Sequence, residues 1–319
     1  MTQRVRMTRR ARPTWPDLPA AVRAAIEARL GVPVVGWSSR DGGYSPGLAS
    51  VLTTPDGDVF VKATGPENDV SACLYRDEAR LQAVLPAGVP APRWRWLLEV
   101  PDEGWVALAF DAVPGHAPHV PWLADELDAV LDLARRIASF TAPAGALPDM
   151  AAGPRRDGWD ALAQSHPAGL ATYDPWVARN LERLARVCDD YAAAAAGSSL
   201  VHGDLRGDNA LVVPASDGGL TALAVDWPCA SRGAVFLDLV GMLPAVTVEG
   251  GPLPEDVLAR HPLPPGTDED AVTCYLAVLT GYFLGSSLDP PPPGIPHVRE
   301  FQRAQAQVCV AWLRRRLRA

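Results

Sequence analysis

A chain of 319 residues, 48% hydrophobic and 21% charged, can bury a large core and is long enough for two lobes. Its net charge of −8 argues against a nucleic-acid binder and favours cationic small partners. Five scattered cysteines form no Cys-x-x-Cys pair, which argues against a zinc ribbon or disulfide framework and predicts a reducing, cytoplasmic setting.

Arg4, Arg6, Arg9, Arg10 and Arg12 precede no apolar stretch, so residues 1–14 read as a disordered tail and not as a secretory signal. Residues 18–30 put Val22, Ala25, Ile26 and Leu30 on one face and stop at Gly31, which predicts a helix. Strand-like runs follow at 34–38, 48–53 and 58–62, the last two joined by the turn Pro55-Asp56-Gly57. A helix is predicted over 69–85, then strands over 94–100 and 105–110. This order gives an antiparallel sheet with one main helix against it.

After Pro114-Gly115 the pattern turns mainly helical, with long amphipathic segments at 123–140 and 175–196. A hairpin over 209–226 turns at Ser216-Asp217-Gly218-Gly219, and helices follow at 234–243, 268–284 and 298–317. The Pro-rich run 289–296 reads as a stiff connector. No apolar run reaches the roughly 18 to 20 residues that span a bilayer, residues 271–285 coming nearest, so no membrane association is expected. The predicted class is α+β and two-lobed, with a tail 1–14, an N-lobe 15–111 and a C-lobe 112–319.

The most informative block is His202-Gly203-Asp204-Leu205-Arg206-Gly207-Asp208-Asn209, followed by Leu223-Ala224-Val225-Asp226. It gathers an Asp, an Asn and, after a hairpin, a second Asp. Phosphoryl transfer from Mg·ATP needs such a set: one carboxylate to orient a hydroxyl and take its proton, an amide and a carboxylate to hold the metal. Lys62, the only lysine among 29 basic residues, ends the run Asp58-Val59-Phe60-Val61-Lys62, where a kinase keeps a phosphate-binding lysine. A half-buried ammonium needs an acidic partner. Asp77 and Glu78 compete, about 100° apart on their helix, and Glu78 shares a face with Leu74, Leu81 and Leu85, which selects it.

His-Gly-Asp-Leu-x-x-x-Asn followed by Val-Asp-Trp resembles the aminoglycoside phosphotransferase family, small-molecule kinases of the protein-kinase-like fold. The resemblance runs from about residue 34 to the last helix. Gly203 and Trp227-Pro228 stand where protein kinases carry Arg and Phe-Gly, which favours the small-molecule branch.

The resemblance implies Asp204 as the catalytic carboxylate and Asn209 and Asp226 as Mg²⁺ ligands. It implies Lys62, braced by Glu78, on the α- and β-phosphates of ATP, with GTP as an alternative donor. The loop Gly42-Gly43-Tyr44-Ser45-Pro46-Gly47 would cover the phosphates through backbone donors at Gly43 and Ser45. The Asp111 carbonyl and Val113 N–H would hold the base. Arg206 would either stabilise transferring charge or form a surface ion pair, and Trp227 would line the acceptor site or pack. His202 is read as a brace, Asp238 as a tie from the catalytic loop to a helix, Asp208 as a solvated loop residue, and the His116/His119 spacing as chance.

The expected acceptor is a small hydroxylated molecule bearing positive charge. The motive is the acidic set Asp157, Asp160, Glu249, Glu255, Asp256, Asp268, Glu269 and Asp270, whose alternative reading is solvated helix starts. A catalytically inactive nucleotide- or partner-binding protein is the alternative function, disfavoured because Lys62, Asp204, Asn209 and Asp226 are all present. A kinase fold that transfers AMP or phosphorylates protein is a third. The acceptor's identity and the oligomeric state have no readable code.

Overall fold

A computed structural model describes residues 12–40, 46–155, 157–165, 169–170, 173–292 and 297–318. Strands β1 (Gly36–Ser39), β2 (Leu48–Thr54), β3 (Gly57–Thr64), β4 (Trp94–Val100) and β5 (Trp105–Asp111) form one antiparallel sheet in the order β1-β2-β3-β5-β4. Period-two alternation along β3 decides what each face carries. Val59, Val61 and Ala63 point to one face and join Leu48, Leu52 and Trp96 beneath helix α1 (Ala20–Leu30), which contributes Val22 and Ile26. Phe60 and Lys62 point to the other, where helix α2 (Asp69–Gln82) packs Ala72, Tyr75 and Ala79 on Val106, Leu108 and Phe110. The sheet is therefore covered on both faces, by α2 as expected and also by α1.

Trp15 is buried in the α1 layer, and the Thr14 N–H donates to Asp17 Oδ2 at 2.8 Å. Residues 1–11 lie outside the described residues.

The second lobe is built around α3 (Ala124–Ser139), whose Leu127, Val130, Leu131, Leu133 and Ile137 enter the main core. The single helix expected over 175–196 is instead three: α5 (Pro175–Arg179), α6 (Leu181–Val187) and α7 (Tyr191–Ala195), after an unforeseen α4 (Trp159–Ser165). Asn180 makes the first break, at φ −123° with its amide donating to the Trp176 carbonyl at 2.8 Å, a side-chain bond that competes with helix continuation.

Strands β6 (Ser199–Val201) and β9 (Ser231–Gly233) pair and flank the hairpin β7 (Ala210–Pro214) and β8 (Leu220–Ala224). Helix α8 (Leu237–Val248) begins later than its apolar run, because the Ala234 N–H is bonded to the Ala195 carbonyl at 2.9 Å and a turn from Ala234 to Leu237 precedes the helix. Then come α9 (Pro254–Arg260), also unforeseen, α10 (Glu269–Leu288) and α11 (Val298–Arg316). With 20 residues, α10 is longer than its sequence suggested and apolar enough, by length and composition, to cross a membrane. Half of its apolar window is buried, with Val272, Leu276, Ala277 and Leu284 sharing a core with Cys309, Trp312 and Leu313 of α11.

Candidate active site

The two lobes meet at a cavity of about 350 Å³. Ala49, Val51, Phe60, Leu211 and Val225 supply apolar walls, and Lys62, Glu78, Asp208 and Asp226 make one polar end. Such a lining suits a ligand with an apolar body and a charged end.

Lys62 stands opposite Ala49 and Leu108 in the sheet and is 7% exposed. Its ammonium is bonded to both Glu78 Oε2 and Asp226 Oδ1, and lies 5.0 Å from the Tyr75 ring centroid. Burial alone would strip its proton, but the Asp226 and Glu78 charges overcome that and hold it above the ordinary lysine range. For Glu78 burial dominates and, with Asp226 repulsion added, pushes the carboxyl up to about 7 against the pull of Lys62. Asp226 goes the other way, because Lys62 outweighs its desolvation. One ammonium thus serves two carboxylates, and of the two Asp226 is the more acidic.

Glu78 also accepts a bond from the Trp227 N–H at 3.4 Å and so ties α2 to the second lobe. It faces inward beside Tyr75 and Ala79, while Leu74, expected on the same face, is 37% exposed. Asp77 turns outward to Arg80 at 3.1 Å.

The loop between β6 and β7 is held from below by Asp238 on α8. Its two oxygens accept the His202 and Gly203 N–H groups at 2.7 and 2.9 Å. His202 is fully buried and donates from Nε2 to the Val225 carbonyl at 2.9 Å, so Nδ1 is free to accept the Asp204 N–H at 3.3 Å. Burial lowers its pKa. A neutral imidazole committed at both nitrogens is a brace, as expected, and not a base. Gly203 has φ +83°, and a Cβ there would meet the Cys229 carbonyl oxygen at 2.5 Å. Gly203→Ala is therefore expected to destabilise the protein by ~2 kcal/mol or more and to displace Asp204, read as a lower melting temperature together with lost activity.

Asp204 follows, its side chain 48% open at the tip yet set deep enough among protein atoms that desolvation raises its pKa, with Arg206 opposing. The Asn209 amide nitrogen donates to the Asp204 carbonyl at 2.8 Å and to its Oδ2 at 3.2 Å. This leaves the Asn209 amide oxygen as the group's remaining polar atom. The Val225 N–H bonds the Asn209 carbonyl at 2.9 Å, which sets Asn209 beside Asp226 across the hairpin. Asp226 sits at φ +64°, a left-handed conformation that aims its carboxylate into the cleft. An amide oxygen and a carboxylate oxygen are hard donors, a set that suits Mg²⁺.

Arg206 bridges Asp204 and Asp208, at 3.3 and 3.2 Å. Asp208 is thus no solvated loop residue: it lines the cavity with its side chain 19% exposed, and burial raises its pKa. Trp227 is wholly buried against His202, ring centroids 4.6 Å apart, which decides for packing. Asp111 and Val113 line the cavity, the Asp111 carboxylate being turned to Arg93 and Arg95 at 2.9 and 2.6 Å. Gly43 and Ser45 lie outside the described residues.

Most of the acidic set is engaged elsewhere. Asp157 and Asp160 pair with Arg155, Glu255 with Arg315 and Glu269 with Arg316, while Asp268 caps α10. Glu249, just past the end of α8, is different. It accepts the Trp122 indole N–H at 3.0 Å, and a Cβ on Gly207 would lie 3.3 Å from its Oε2 and 3.0 Å from the Trp122 ring. Trp122 carried no signal in the sequence. Burial, with Asp208 repulsion added and Trp122 and Arg206 opposing, pushes Glu249 up to about 7.

The chain is 11% identical to a spectinomycin phosphotransferase crystallised with ADP and spectinomycin (TM-score 0.58, covering 91% of this chain and 97% of that one). It is 14% identical to the choline kinase LicA of Streptococcus pneumoniae (TM-score 0.56, 92% and 98% covered). An ethanolamine kinase of Plasmodium vivax is 11% identical (TM-score 0.52, 88% and 83% covered). These likenesses establish a protein-kinase-like fold. Curated proteins give no significant match in sequence. A model of the phosphotransferase enzyme family matches residues 38–272, a span that takes in Lys62, Glu78, the 202–209 loop and Asp226, and the chain belongs to that family.

Proposed function

We propose that the chain transfers the γ-phosphoryl group of ATP, with GTP as an alternative donor, to a hydroxyl of a small cationic molecule. The observation that carries this reading is the meeting of Lys62, Glu78 and Asp226, distant in sequence, at one interlobe cavity, with the bonded pair Asp204 and Asn209 on the same loop as the cavity-lining Asp208. Lys62 binds the phosphates, and Glu78 keeps it extended. Asp204 accepts a hydrogen bond from the acceptor hydroxyl and takes its proton as the oxygen attacks phosphorus. Arg206, bonded to Asp204 and Asp208, orients that carboxylate and offers positive charge near the transferring group. Asn209 and Asp226 would hold Mg²⁺, which when bound offsets charge on the phosphates. An inactive binding protein would have no need of this full set. The five cysteines are unbridged, in keeping with a cytoplasmic setting. Turnover of ATP against a panel of amine-bearing alcohols, with detection of one added phosphoryl group on the acceptor, tests the proposal. Nucleotide binding without turnover of any acceptor would favour the inactive alternative.

A cationic acceptor is supported by Glu249, which lies against Gly207 of the 202–209 loop close enough to Asp208 for their charges to repel, and by neighbours named for choline and ethanolamine, alcohols with a cationic nitrogen. Glu249 is neutral below about 7 and ionised above it, so equilibrium binding of a cation should tighten as pH rises through about 7. Glu249→Gln should flatten that dependence and weaken acceptor binding about tenfold without altering nucleotide affinity. The sign is opposite for stability. Because the folded-state value is raised, the contribution of Glu249 is present below its ordinary value of 4.5 and lost as pH rises through about 7. Acceptor binding indifferent to pH and to Glu249→Gln would remove this carboxylate from the acceptor site.

A further inference from the structure

The segment that leaves β5 and enters α3 carries His116 and His119, and both imidazoles turn toward one carboxylate, Glu126 in the first turn of α3. Among the described residues, these three can offer ligand atoms all within 4.8 Å of one another. His119 Nδ1 lies 2.7 Å from Glu126 Oε1, and His116 Nε2 lies 3.8 Å from the same oxygen. Glu126 is 3% exposed, and its other oxygen accepts the His119 backbone N–H at 2.7 Å.

His116 makes the group more than a loop anchor. Its Nδ1 is 2.9 Å from the Ala117 carbonyl oxygen, to which it donates. In the neutral ring that leaves a lone pair on Nε2, 3.8 Å from Glu126 Oε1. Two acceptors facing each other at 3.8 Å are reconciled by a cation between them. The carbonyl that fixes the tautomer is the kind of outer contact that orients a metal-bound imidazole.

We propose that His116 Nε2, His119 Nδ1 and Glu126 Oε1 form a binding site for a divalent transition ion of the Zn²⁺ type, distinct from the Mg²⁺ ligands Asn209 and Asp226. Two imidazoles and one carboxylate favour such an ion over Mg²⁺. Metal–ligand bonds of about 2.0–2.2 Å place tetrahedral ligand atoms about 3.3 Å apart, so the present spacings need shifts of about half an ångström to one and a half. His116 and His119, with side chains 52% and 62% exposed, are free to make them. The His119 ring moves its proton from Nδ1 to Nε2 through solvent as the metal takes Nδ1, so none need be released. Three protein ligands leave a fourth position for water.

The His116 backbone is bonded in both directions to Val212 on β7, at 3.1 and 2.8 Å, and its side chain lines the interlobe cavity. An ion there would clip the linker to α3 and add positive charge at the cavity's edge.

The test uses the full chain without an affinity tag, titrated with Zn²⁺ by calorimetry and with Co²⁺ by visible absorption. One ion per chain is expected, with a Co²⁺ band typical of low coordination number. His116→Ala/His119→Ala should lose the band and weaken binding at least about 100-fold while staying folded, its metal-free melting temperature lowered because the buried Glu126 loses its imidazole partners. Because both rings are half exposed or more, that variant is expected to fold, and His119→Ala alone serves as a second check. A His261→Ala/His297→Ala control should bind like the parent. Equal binding by parent and the His116/His119 variant, no binding by the parent, or displacement of Zn²⁺ by equimolar Mg²⁺ would each overturn the proposal.

Discussion

Asp204→Asn is expected to lower phosphoryl transfer by about 10³-fold while fold and nucleotide affinity stay intact. The substitution keeps the shape of the side chain, and the Asn209 bond to the backbone carbonyl of residue 204, at 2.8 Å, does not depend on the carboxylate. Arg206 loses one anionic partner and keeps Asp208 at 3.2 Å. What disappears is the group that takes the hydroxyl proton. In the parent, desolvation raises the Asp204 pKa, so it is a stronger base than a fully solvated aspartate. Activity should accordingly fall on the acid side at a pH above the ordinary aspartate range.

The effect on stability has a definite sign. A carboxylate with a raised folded-state pKa costs stability once ionised, so the neutral variant should melt at the same temperature or higher near neutral pH. Single-turnover assays with a verified acceptor, beside equilibrium nucleotide binding and thermal melts, make the measurement. Near-parental turnover would take the base role away from Asp204, and a collapsed melting temperature would make the residue structural.

The sheet, the hairpin and the position of Lys62 were legible because short-range rules govern them. Period-two alternation around Lys62, the Gly-Asp pair and the Ser-Asp-Gly-Gly turn each act within a few residues, so the sheet, the hairpin and the meeting of Asn209 with Asp226 could be read directly. Glu78 was chosen correctly on partly mistaken grounds, since the exposed Leu74 does not mark the buried face; Tyr75 and Ala79 do.

What the sequence hid depends on long-range packing. The break at Asn180 arises from a side-chain bond that competes with an otherwise good helical pattern. The role of α1 as a second cover on the sheet rests on Trp15, Val22 and Ile26 sharing one core with residues from β2 to β5. Among the acidic residues, composition could not tell carboxylates held by Arg155, Arg315 and Arg316 from Glu249, whose partner is Trp122, 127 positions away. The same holds for His116 and His119. Their spacing alone meant nothing until Glu126 was brought between them.

Asp226→Asn should weaken magnesium-dependent nucleotide binding by about 100-fold or more while leaving metal-free nucleotide binding close to parental. Asparagine is the appropriate replacement, because residue 226 has φ +64° and Asn tolerates that conformation better than Ala. Lys62 does not become an orphaned buried charge, since Glu78 still bonds it. In the parent one ammonium is shared by two carboxylates, and Asp226 repulsion contributes to the high pKa of Glu78. Removing the Asp226 charge therefore leaves a one-to-one pair and should draw the Glu78 pKa downward. The melting temperature should stay near parental, unlike the several kcal/mol expected when a buried ion is left without any partner. Calorimetric titrations of ADP with and without magnesium separate the outcomes. Parental magnesium dependence in the variant would assign the metal to other ligands, and equal loss with and without magnesium would mean that Asp226 acts on the nucleotide only through Lys62.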